Sequence, residues 1–61
     1  MPKGRDDFLR VYSNLPMDVR KEIVLVIENQ PITWNVAFEE INHGTLLGEQ
    51  ILKKLVQLDF I

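Results

Sequence analysis

In the second half of the chain, apolar residues recur at helical spacing. Trp34, Ala37, Phe38 and Ile41 fall at i, i+3, i+4 and i+7, which predicts an amphipathic helix with one buried face. Thr33 is placed to cap its start, and Gly44 to close it in the left-handed conformation that side chains disfavour. Thr45 can then cap a further helix from about Leu46 to Leu58, with Leu47, Ile51, Leu55 and Leu58 on one face and Leu52 and Val56 beside it. Glu49, Gln50, Lys53, Lys54 and Gln57 take the opposite side. The remaining Asp59-Phe60-Ile61 reads as a short extended tail.

The first half is less regular. Asp6 and Asp7 suit a helix N-terminus, and Phe8, Leu9, Val11 and Tyr12 follow before Ser13-Asn14 ends the segment. A second helix is expected from about Pro16 to Glu28, because Val19, Ile23, Val26 and Ile27 fall at i, i+4, i+7 and i+8. Its five-residue run Ile23-Val24-Leu25-Val26-Ile27 also fits a buried strand. The flank Met17 to Glu22 lacks turn signals and continues the helical spacing, so helix is the reading. Asn29-Gln30-Pro31 ends it, since the residue before a proline is pushed out of the α region.

These elements make an all-α domain, a small three- to four-helix bundle spanning residues 1–61, with residues 1–5 flexible. Its expected core is Val19, Ile23, Ile27, Trp34, Phe38, Ile41, Ile51 and Leu55. Gly48 is expected to permit close helix packing. At 61 residues the core is small and the stability marginal, and with no cysteine there is no disulfide to reinforce it. The apolar fraction of 46% beside 26% charged residues argues for a folded chain.

Net charge is −2, and its distribution is uneven. Residues 1–22 hold five basic side chains, residues 23–52 hold none, and Lys53-Lys54 follow. Contact with a polyanion would therefore fall to the two ends of the chain. The longest apolar run is five residues against the roughly 20 that cross a bilayer. The start, Met1 to Asp7, lacks the apolar stretch of a secretory signal, so a cytoplasmic location and no membrane contact are expected.

Little here supports catalysis or metal chemistry. The sole histidine, His43, stands beside Gly44 where a helix C-terminus favours imidazole for structural reasons. Glu39 and Glu40 point about 100° apart on a helix and form no carboxylate dyad. Glu39, Glu40, His43 and Glu49 offer two convergent metal ligands at best, through the i, i+4 pair Glu39 and His43. Gly44-Thr45-Leu46-Leu47-Gly48 lacks the ending and preceding strand of a phosphate loop. No catalytic residue, cofactor or metal is expected.

From Asp18 to Ile61, the order of helix (Val19–Glu28), extended segment (Pro31–Thr33), helix (Trp34–Asn42), turn and helix (Leu46–Leu58) resembles the tri-helical core of winged-helix-type helix-turn-helix domains, without the wing. The likeness lies in the spacing of apolar residues and covers about two thirds of the chain. It implies a short pairing of Ile32 or Thr33 with the tail, with Phe60 near Trp34 or Ile32. It also implies nucleic-acid contact through Gln50, Lys53, Lys54 and Gln57, with Lys3, Arg5 and Arg10 as a basic arm.

Two functions follow from these readings. The first is an intracellular protein-interaction module, not an enzyme, whose partner is an unidentified protein or a second copy in a homodimer. Val24, Leu25, Val36 and Leu46 lie off the predicted helical faces and leave more apolar surface than one small core absorbs. The alternative is a wingless nucleic-acid-binding helix-turn-helix protein, which seven basic residues against nine acids support weakly.

Overall fold

The computed structural model describes residues 4–61. Helix α1 (Arg5–Asn14) is followed by a single 3-10 turn (Val19–Lys21), strands β1 (Ile23–Ile27) and β2 (Gln30–Thr33), then helices α2 (Trp34–Asn42) and α3 (Leu46–Gln57). The all-α expectation is corrected: three helices with a two-stranded antiparallel sheet make an α+β domain. Of the expected flexible start, residues 1–3 lie outside the described residues, whereas Gly4 and Arg5 cap and open α1.

The correction falls on the apolar run expected as a helix. Four of the five residues in β1 are β-branched, which restricts χ1 and suits a pleated surface better than a helix. Glu28 (φ 50°) and Asn29 (φ 67°) then form a two-residue turn with both residues left-handed, the geometry that matches strand twist in tight hairpins. Pro31, read as a helix stop, lies opposite Val26 within β2. A two-residue turn makes Ile27 and Gln30 the bonded pair, so at Pro31 the missing N–H would have faced away from β1 and no ladder bond is lost.

Glutamate is a poor occupant of the left-handed region, where non-glycine residues other than Asn and Asp are disfavoured by about 1–2 kcal/mol. Replacing Glu28-Asn29 by Asn-Gly, the pair that this turn prefers, should therefore stabilise the domain by about 1 kcal/mol. Thermal melts followed by circular dichroism check this. An unchanged or lowered midpoint would show that Glu28 and Asn29 do not form a left-handed turn.

Both later helices carry the expected caps. The Val36 N–H donates to Thr33 Oγ1 at 3.1 Å, and the Gly48 N–H donates to Thr45 Oγ1 at 3.0 Å. Thr45 Oγ1 in turn donates to Glu40 Oε1 at 2.6 Å, tying the start of α3 to α2. Gly44 is left-handed at φ 66°, with the Thr45 N–H donating to Glu40 O and the Gly44 N–H to Ile41 O. This paired closure is a Schellman motif. The C-terminus of α3 repeats it with Asp59 (φ 59°): Phe60 N–H donates to Leu55 O and Asp59 N–H to Val56 O.

That second closure corrects the extended tail. The chain turns back over the end of α3 instead of pairing with β2, whose partner is β1. Phe60 remains half exposed, while Ile61 packs on the core and lies close enough to Gly4 that a Cβ there would meet its Cδ1 at 3.0 Å.

One core holds these elements together, formed by Phe8, Leu25, Ile32, Ala37, Ile41, Ile51, Leu52 and Leu55. Of the expected core, Ile41, Ile51 and Leu55 are buried; Trp34, Phe38 and Ile27 pack against it partly exposed, and Val19 is half-buried. Ile23 is 59% exposed, because strand geometry turns it away from the helices. An aromatic series roofs the α1 side. Phe8 stacks on Tyr12 and Trp34 with centroids 6.0 Å away in each case, and Tyr12 stacks on Phe38 at 4.5 Å. The Arg20 guanidinium lies 4.4 Å above the Tyr12 ring and donates to Ser13 O, so it fastens the 3-10 turn to α1.

Candidate functional site

The surface that stands out is the outer side of the hairpin. An inward-outward alternation is broken in β1 by a bulge: Ile23 lies opposite Thr33 and Leu25 opposite Ile32, which inserts one extra residue at Val24. The bulge turns Val24 and Leu25 both towards the core, half-buried and buried, and leaves Ile23 and Val26 facing solvent at 59% and 54% exposure. Pro31, opposite Val26, is exposed beside it.

The backbone of β1 is also open on one side. Among the described residues the sheet has only two strands, so the edge of β1 remote from β2 has no strand beside it. At the turn end of the hairpin an open groove of about 320 Å³ is lined by Val26, Ile27 and Glu28 and by Gln50 and Lys54 from α3. Natural edge strands are commonly guarded by lysine, proline or a covering element. β2 has Pro31, whereas the side chains of β1 are all aliphatic.

The residues singled out for protein contact divide into two pairs. Val36 and Leu46 are exposed, at 40% and 79%. Leu25 is instead a core residue and Val24 packs against the core, because both were read as off-face positions of a helix that is in fact a strand. Ile23 and Val26, assigned to the buried face of that helix, are the residues sequence reasoning missed. Ile23 and Val36 flank Thr33, Ile23 as its strand partner and Val36 through the cap hydrogen bond.

Gln50, Lys53, Lys54 and Gln57 are all exposed on α3, with Glu49 in its first turn. Arg10 lies 3.8 Å from Asp7 on α1, Arg5 is partly exposed, and Lys3 lies outside the described residues. The segment Val19–Glu28, likened to the first helix of a helix-turn-helix, is the 3-10 turn, β1 and the first turn residue.

Elsewhere the polar groups serve local structure. His43 Nδ1 lies 2.9 Å from Glu39 O and 3.7 Å from Glu39 Oε2, at the end of α2. Glu40 is engaged by Thr45. Among the described residues no three potential metal ligands converge, and no helix is long and apolar enough to cross a membrane.

No family model, curated protein or solved structure matches the chain. The functional reading therefore rests on the surface itself.

Proposed function

We propose that the chain is a small intracellular protein-interaction module without catalytic activity of its own, which binds through the outer face and free edge of its hairpin. The observation that carries this reading is the exposure of Ile23 and Val26 on an uncharged strand with an unpaired edge. Full burial of one such side chain is worth about 1.5–3 kcal/mol, and added strands bind through main-chain hydrogen bonds of the kind this edge can offer. Both terms favour an added polypeptide segment.

Photo-crosslinking tests the reading. A benzophenone amino acid placed at position 23 or 26 should yield protein adducts in cells expressing the chain, and one at position 53 on the exposed side of α3 should yield few. Adducts distributed evenly among the three would refute the hairpin as the contact surface. Salt-sensitive adducts to nucleic acid from position 53 would instead favour the nucleic-acid reading, since neutralisation of phosphates makes such binding fall as salt rises.

A further inference from the structure

We draw no further inference here: the strongest candidate, the outer face of β1 with Ile23 and Val26 exposed beside an edge that has no strand along it among the described residues, belongs to the surface already described, and nothing in the structure shows what covers it.

Discussion

Gly48→Ala is expected to cost the domain a large part of its stability, about 2 kcal/mol or more, although alanine is the better helix former. In α3, Gly48 meets the backbone of α2: a Cβ would overlap Glu40 O and lie 2.6 Å from Glu40 C and 2.9 Å from Ile41 N. None of these atoms can rotate away as a side chain would. The helices must separate, with loss of contacts around the neighbouring Ile41 and Ile51, both in the core. Alanine gains about 1 kcal/mol in helix propensity, whereas overpacking costs about 1–3 kcal/mol and more when backbone is displaced. The collision should therefore win by about 2 kcal/mol or more. A 61-residue domain has only roughly 3–9 kcal/mol of stability in all. Gly44→Ala is the control, since a Cβ there meets nothing within 4 Å and only the left-handed backbone, at φ 66°, resists it. It should cost about 1 kcal/mol. Urea titrations of the two variants decide the matter, and a Gly48→Ala protein as stable as the Gly44→Ala one would show that α2 and α3 do not approach this closely.

The second large effect is expected from Phe8→Ala. Phe8 is completely buried and stacks on Tyr12 and Trp34, so it joins α1 to the rest of the molecule. Truncating a buried phenylalanine costs about 3–5 kcal/mol, part of it the lost aromatic contacts. That is enough to release α1, and with it the roof over the core. Trp34 is the sole tryptophan and reports the change directly. Its emission should shift to longer wavelength in Phe8→Ala, and Phe8→Leu, which keeps most of the volume, should retain the parent spectrum with a loss of about 1.5 kcal/mol or less. A Phe8→Ala spectrum and melt identical to the parent would rule out the anchoring role of α1.

Much of the candidate surface was hidden from sequence reasoning for one reason. Val36 and Leu46 were read correctly as exposed because α2 and α3 have a strong 3.6-residue period, and a residue off the apolar face of such a helix faces outward. Applied to residues 23–27, the same reasoning assigned Val24 and Leu25 outward and Ile23 and Val26 inward. An uninterrupted apolar run has no polar positions to reveal its period, so neither element type nor face can be read from it. The β-branched content and the Glu28-Asn29 pair ahead of Pro31 were the available signals for a hairpin, and the helical spacing from Val19 outweighed them.

Local chemistry was legible around α2 and at the start of α3. Thr33 and Thr45 cap their helices, Gly44 adopts the left-handed conformation and Gly48 sits at a close helix contact, because each depends on neighbours within a few residues or on a missing Cβ. The start and end of α2 and α3, and the positions of Ile41, Ile51 and Leu55 in the core, follow from the same short-range pattern. What only tertiary structure decided is how the weakly patterned half of the chain is shared between core and surface. Packing of the hairpin against the helices selects Leu25 and Ile32 for burial, the bulge moves Val26 and Ile23 to the outer face, and stacking on Trp34 draws Phe8 inward. A side chain becomes core or contact surface according to what lies across from it, and for β1 that partner is several residues to half a chain away.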